Sequence, residues 1–294
     1  MPELPEVQTI VNDLNRKIID ETVVDFWTDW PKLLKNTNLT RFKKEIRGLK
    51  IEKIVRRGKN ILFYFSGNTI LSLHQKMTGH LMVGKWKVTK KRTGWSVKNL
   101  IPGHQDDRVN QYIHAIFYLK SGKMIALSDM RKFARIDFGK EKDVLSLSGI
   151  RALGTDALDP ELTLDNFKAV IKRRKKSIKQ VLMDPSVIAG IGNIYADNIL
   201  WSSKVHPARS AKTLKDSELK KILANTKKIL KKAVRLRGTS VGDYRDTAGK
   251  SGRYGGEVLV YRRTGEPCRR CGIPIKKIVL GQRSAHFCPK CQKR

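Results

Sequence analysis

Between residues 7 and 19 the apolar side chains Val7, Ile10, Val11, Leu14 and Ile18 recur every three or four positions. That period predicts one amphipathic helix, beginning just after Pro5, a residue suited to a first helical turn. From about residue 22 to 138 the pattern shortens. Runs rich in β-branched and aromatic residues at 22–27, 51–55, 61–65, 69–73, 113–119, 124–127 and 135–138 predict strands. Turn formers such as Ser66-Gly67-Asn68 and Ser121-Gly122-Lys123 separate some of them, as hairpins require. Residues 85–111 are polar and basic and predict a long loop or insertion. Past a linker at 146–160, helical periodicity covers 164–173, 178–183, 194–201 and 214–236. The pattern predicts an α+β protein of two domains. An N-terminal β-sandwich with a flanking helix spans 1–145, a helical domain 161–262, and a small terminal unit 263–294.

Composition narrows the partner. Lys and Arg number 61 against 27 acids, a net charge of +34. Basic clusters stand at Lys172-Arg173-Arg174-Lys175-Lys176, at Lys227-Lys228 and Lys231-Lys232, and at Arg262-Arg263 and Arg269-Arg270. A polyanion partner follows, because each neutralised phosphate releases counterions. Charge alone does not separate DNA from RNA. No run approaches the roughly 18 apolar residues of a membrane span, and Met1-Pro2-Glu3-Leu4-Pro5-Glu6 is no signal peptide. A cytosolic protein is expected. Residues 249–256 hold four glycines, which predicts a mobile segment.

All four cysteines lie in the terminal unit, as Cys268-x2-Cys271-x16-Cys288-x2-Cys291. Two such knuckles place four thiolates around one tetrahedral Zn²⁺. Two disulfides or free thiols are the alternative, and a cytosolic setting disfavours disulfides. A closed four-thiolate site has no open position, so the zinc is structural and stiffens a hairpin too small to bury its own core. Arg283, on the return strand of that hairpin, is placed for a phosphate contact.

The N-terminus offers chemistry. Loss of Met1 leaves Pro2 with a secondary amine, and α-amino groups titrate near 7.7–8.0 against about 10.4 for Lys. Attack by that amine on a sugar C1′ gives a permanently cationic iminium, which acidifies the C2′ proton and permits strand cleavage by elimination. Glu3 is placed to move protons.

Met1-Pro2-Glu3-Leu4-Pro5-Glu6-Val7 and the cysteine hairpin resemble the formamidopyrimidine-DNA glycosylase family. Further motifs carry the resemblance along nearly the whole chain apart from 86–111. They are Arg57-Gly58-Lys59, His74-x-x-Met77-Thr78-Gly79, Asp129-x-Arg131-Lys132-Phe133, Met183-Asp184, Gly190-Ile191-Gly192-Asn193 and Gly265-Glu266-Pro267-Cys268. The resemblance implies a helix–two-turns–helix domain followed by a zinc-finger hairpin. It implies removal of 8-oxoguanine and formamidopyrimidines from duplex DNA, then β,δ-elimination. Pro2 would be the Schiff-base nucleophile, Glu3 the acid/base, Glu6 a supporting carboxylate and Lys59 a phosphate-holding cation. His74 stands among the DNA-binding residues. Met77, Arg131 and Phe133 would fill the duplex vacated by the flipped base. Asn193 would bind phosphate at a helix N-terminus, and Lys250, Arg253 and Tyr254 lie in the segment that corresponds to a loop over the flipped base. Two positions depart from the family pattern: Lys132-Ala134 flank Phe133 in place of Arg and Gly, and Gly242 stands where a basic residue is expected. A monomer at the bacterial nucleoid is expected, with damaged duplex DNA as partner. The alternatives are an endonuclease VIII-like enzyme for oxidised pyrimidines, disfavoured by Leu4 and the Met77/Arg131/Phe133 trio, or a catalytically silent DNA-binding protein.

Overall fold

The computed structural model describes residues 1–100 and 107–294. Its first helix, α1 (Leu4–Ile18), starts earlier than periodicity suggests. Glu3 and Glu6 form a capping box, and Pro5 costs nothing in a first turn whose amides have no helical partner. There follow β1 (Val23–Thr28), α2 (Leu39–Ile46), β2 (Ile51–Arg57), β3 (Asn60–Phe65), β4 (Thr69–His74) and β5 (His80–Gly84). Next come β6 (Trp86–Lys91), β7 (Gly94–Asn99), β8 (Ile113–Leu119), β9 (Met124–Ser128), β10 (Arg135–Lys140), α3 (Glu141–Ser146) and α4 (Ser148–Arg151). The strands form two four-stranded antiparallel sheets, ordered β1-β8-β9-β5 and β10-β4-β3-β2. One core joins their inner faces to Val7, Ile10, Leu14 and Ile18 of α1 and to Phe42 and Ile46 of α2. Phe26 and Phe42 meet edge to face at 4.8 Å inside it.

The stretch expected as a long loop is instead a hairpin for much of its length, and residues 101–106 of it lie outside the described residues. Trp86 and Val88 on β6, and Trp95 and Val97 on β7, alternate with polar residues, the two-residue period that marks a half-buried strand. Trp86 packs with Met82, Ile113, Ile116 and Ala126 on the outer face of the β1-β8-β9-β5 sheet. Trp95 meets Trp27 edge to face at 5.6 Å.

The chain forms two compact units, Met1–Arg151 with Leu236–Arg253, and Ala152–Arg235 with Tyr254–Arg294. The excursion 236–253 is tied into the first unit by charge. Arg237 bonds both Asp13 and Asp246, and the Thr247 hydroxyl donates to Asp13 at 2.9 Å. The second unit holds β11 (Thr155–Asp156), α5 (Leu164–Lys172), α6 (Ile178–Met183), β12 (Ile188–Ala189), α7 (Asn193–Ser202), α8 (Asp216–Arg235) and the hairpin β13 (Lys276–Leu280)–β14 (Arg283–Phe287). Helices α6 and α7 flank the expected two turns. A fully buried ion pair between Lys179 of α6 and Asp197 of α7, 2.6 Å long, joins them. Asp197 also accepts the His286 amide at 3.0 Å, so the same carboxylate holds the terminal hairpin.

Trp86→Ala should destabilise the first unit by about 3–5 kcal/mol, the usual cost of emptying an aromatic site. Chemical denaturation of the full chain measures it; a loss below about 1 kcal/mol would mean that the β6–β7 hairpin is not packed on the sheet.

Candidate active site

The chain terminus is built around one carboxylate. Glu6, 2% exposed, accepts the Glu3 amide at 2.8 Å through one oxygen and the Thr239 amide at 2.8 Å through the other. Two glycines make room. A side-chain carbon on Gly238, whose φ is +76°, would lie 2.7 Å from the Glu6 Oε1, and one on Gly252 would lie 2.3 Å from the Gly238 carbonyl oxygen. Pro2 is buried and Glu3 is 4% exposed, whereas Met1 projects outward. Burial lowers the pKa of the terminal ammonium at Met1 below its ordinary 8.0, opposed by Glu3 and Glu6 and reinforced by Lys59.

Lys59 sits in the turn between β2 and β3 and is half-buried. His74 ends β4 in register with Asn60 on one side and Arg135 on the other. Burial, then the charges of Lys76 and Lys59, push its pKa down to about 3. It is neutral at physiological pH. Its Nδ1 accepts the Lys76 amide at 3.0 Å, which leaves Nε2–H as a donor.

Two loops carry the residues expected to enter the duplex. Met77 (36% exposed) lies between β4 and β5, and Phe133 (49% exposed) lies between β9 and β10. The Arg131 guanidinium stacks 4.4 Å from the centroid of the Phe133 ring. Both loops are anchored by Asp129, which is fully buried. Its carboxylate accepts the amides of Phe133 and Ala134 at 2.8 Å each and the hydroxyl of Thr78. Thr78 in turn accepts the Arg131 amide at 3.1 Å. The structural weight of Asp129 and Thr78 is missing from a reading of the sequence, although both stand inside the motifs that bear Met77 and Arg131. A short-chain acid two residues before an exposed Arg-x-Phe is the signal that was available.

Lys250 is exposed on the first unit, in a turn that winds about Asp246: the Asp246 carboxylate accepts the Lys250 amide at 3.0 Å. Tyr254 is 2% exposed within the second unit, its ring 5.3 Å from that of Tyr195. In that unit Asn193 opens α7, and its side-chain amide donates to the Ser284 hydroxyl at 3.4 Å. Its buried Oδ1 has no partner among the described residues. Arg283, next to Ser284, is exposed. The second unit thus brings Asn193 and the hairpin strand of Arg283 together.

The four cysteine sulfurs lie within 4.8 Å of one another. Cys271 stands 3.5 Å from both Cys288 and Cys291, too far for a disulfide. Thiolates bound about 2.3 Å from a tetrahedral zinc stand roughly 3.8 Å apart, so the donor set fits that ion. Burial raises the Cys268 thiol, but amide donors from Arg270 and Cys271 and the Trp201 indole outweigh it and bring the pKa to about 6. Burial pushes Cys288 up to about 12. Four crowded sulfurs ionise together only around a cation.

Three family models match in chain order. They are the formamidopyrimidine-DNA glycosylase N-terminal domain at residues 1–136, the formamidopyrimidine-DNA glycosylase H2TH domain at 153–245, and the zinc finger found in FPG and IleRS at 265–294. The chain is 35% identical over 292 residues to the formamidopyrimidine-DNA glycosylase of Ligilactobacillus salivarius, covering 99% of each. It is 36% identical over 293 residues to that of Lactiplantibacillus plantarum, covering 100% of each. Among solved structures it is similar to Lactococcus lactis Fpg in complex with abasic-site DNA, with TM-score 0.84, 28% identity and 99% and 100% of the two chains covered. It is likewise similar to the same organism's FPG (MutM) with Fapy-dG DNA, with TM-score 0.84, 27% identity and 99% and 100% covered.

One zinc per chain is therefore structural, held by Cys268, Cys271, Cys288 and Cys291. Cys288→Ala should lower bound zinc from one to none and loosen the hairpin that carries Arg283. Elemental analysis beside a duplex-binding titration reads both; full zinc with normal binding would refute the structural role.

Proposed function

The chain belongs to the formamidopyrimidine-DNA glycosylase family, and from that membership we propose that the amine of Pro2, freed of Met1, is its nucleophile. The protein is a base-excision repair glycosylase and lyase that removes oxidised purines from duplex DNA. The observation that supports the assignment is the setting of the terminus. Pro2 is buried beside Glu3, and the charges of Glu3, Glu6 and Lys59 act on the chain end at Met1.

The neutral amine attacks C1′ of the flipped nucleotide. The C1′–N bond breaks, its electron pair leaves with the base, and the base takes up a proton. The nitrogen loses its own proton, Glu3 protonates the ring oxygen O4′, and the C1′–O4′ bond opens with its pair on oxygen, so that nitrogen and C1′ become an iminium. Glu3 supplies and removes protons at the sugar. The iminium then draws off the C2′ proton's bonding pair and expels the 3′ phosphate, and a second elimination expels the 5′ phosphate. The product is a one-nucleotide gap flanked by phosphates. Glu6 holds the Glu3 backbone from below, and Lys59 lies where a point charge can meet a phosphate beside the reacting sugar. Neutral His74 offers its Nε2–H to the same backbone.

Base extrusion leaves a void and an orphaned partner. Met77 is flexible enough to fill the gap. Arg131, steadied by Phe133, presents donors to the cytosine edge, and Phe133 wedges the opposite stack. Asn193 and Arg283 hold phosphates on the second unit, and Lys250 and Tyr254 bound the segment over the lesion. We assign a monomer to this activity, working in the bacterial cytosol at the nucleoid. One chain supplies every group named here, and no helix among the described residues is long and apolar enough to cross a membrane.

Borohydride trapping on an 8-oxoguanine duplex, with a dihydrouracil duplex beside it, tests the nucleophile and the purine preference together. A covalent adduct should form faster with 8-oxoguanine, on protein whose intact mass lacks one methionine. Pro2→Gly keeps an amine but loses the ring that aims it, and should bind the duplex normally while cleaving about 100-fold more slowly, the usual cost of a misplaced reacting group. Unchanged cleavage by Pro2→Gly would exclude Pro2 as nucleophile.

A further inference from the structure

The β6–β7 hairpin has two unlike faces. Trp86, Val88 and Val97 face the sheet beneath. Alternation then turns Lys87, Lys91 and Lys98 to the other side, and all three are exposed. Lys87 and Lys98 are cross-strand partners, two like charges directly opposite each other, an arrangement that destabilises an antiparallel pair. Some lysines elsewhere on the first unit have acids beside them, Lys43 with Asp25, Lys50 with Asp20 and Lys132 with Asp29, and others such as Lys44, Lys53 and Lys120 do not. Lys87, Lys91 and Lys98 form no ion pair among the described residues. At the base of the hairpin Lys85 opens onto a cavity of about 540 Å³ whose other cationic walls are Arg16, Lys17 and Lys123.

We propose that the outward face of the β6–β7 hairpin is a second, sequence-independent contact for duplex DNA, reading phosphodiester charge and no base. Trp86 packs the hairpin on the sheet, and Trp95 meets Trp27 at its edge. Among the described residues no acid pairs with Lys87, Lys91 or Lys98, so a polyanion relieves the Lys87–Lys98 repulsion. Its outward side chains are lysines with Thr89 and Ser96 between them, and lysine meets a phosphate as a flexible point charge. DNA as the polyanion rests on the family membership, but the contact does not depend on Pro2. The competing role for such lysines is to keep the two exposed strand edges from pairing with another copy.

The test is a triple variant, Lys87→Gln, Lys91→Gln and Lys98→Gln, in the full zinc-bound chain. Fluorescence anisotropy gives the affinity for a short lesion duplex and for a long undamaged one over a series of salt concentrations. Three lost phosphate contacts reduce the slope of log affinity against log salt by about 2 to 3. The thermal unfolding temperature does not fall, and saturating single-turnover cleavage of the short duplex remains as in the wild type. A reduced slope with both duplexes places the hairpin on the DNA already bound. A reduced slope with the long duplex alone places a second segment on it; either supports the proposal. An unchanged slope with both overturns it, as does new self-association of the variant without any change in slope. Failure of the Pro2 assignment shows only in the cleavage arm, so the two readings fail separately.

Discussion

The terminal active site depends on a buried carboxylate that accepts a backbone amide on each oxygen. Glu6 has its two oxygens engaged by two amides, one from its own helix start and one from a segment more than two hundred residues away in sequence. A carboxylate taken out of water is costly unless such donors meet it, so the two amides and the acid hold one another in place. Helix geometry sets the first: three residues after the N-cap, a Glu side chain reaches back to the cap amide. The second requires backbone to come close, and Gly238 allows it because any side-chain carbon there would collide with Glu6. Glu3 and Pro2 are positioned by what lies beneath them.

The same device recurs at other functional points. Asp129 gathers three amides and a hydroxyl under the loops of Met77 and Phe133. Asp13 pairs with Arg237 and Thr247 to seat the excursion 236–253, and Asp197 joins two helices and the zinc hairpin. A chain of +34 net charge thus spends several of its 27 acids indoors. Burial keeps those carboxylates from competing with phosphate for the surface cations. It also makes each one an organiser, since inside the protein an anion binds its donors more strongly than at the surface. The zinc site is the converse case, in which a cation gathers thiolates that repel one another.

Most of this was legible from residue spacing. The long helices, seven of the strands and the four cysteines declare themselves by period or by motif, because burial of one face or capture of one ion imposes a fixed repeat. Helix α2 escaped notice: eight residues give the apolar period only Phe42 and Ile46 to show itself. The β6–β7 hairpin escaped for a different reason. Its lysines raise the polarity of the whole stretch, and the alternation of Trp86, Val88, Trp95 and Val97 is visible only when the two faces are counted apart. The partners of Glu6, Asp13 and Asp197 were not legible at all. They are contacts across 233, 224 and 89 residues, fixed by tertiary packing and by no local pattern.

Proline at position 2 resolves a conflict between burial and reactivity. Any other residue there would bring a backbone N–H into a closed site while Met1 remained attached, and a buried donor without a partner is expensive. Proline has no such hydrogen, so the terminus folds against Glu3 with nothing left unpaired. On the proposed loss of Met1, that nitrogen becomes a secondary amine. The ring that fixed the backbone now fixes the direction of the lone pair, and the burial that once cost nothing disfavours the protonated form. The residue that can be buried safely as an amide is thereby the one best prepared to react as an amine.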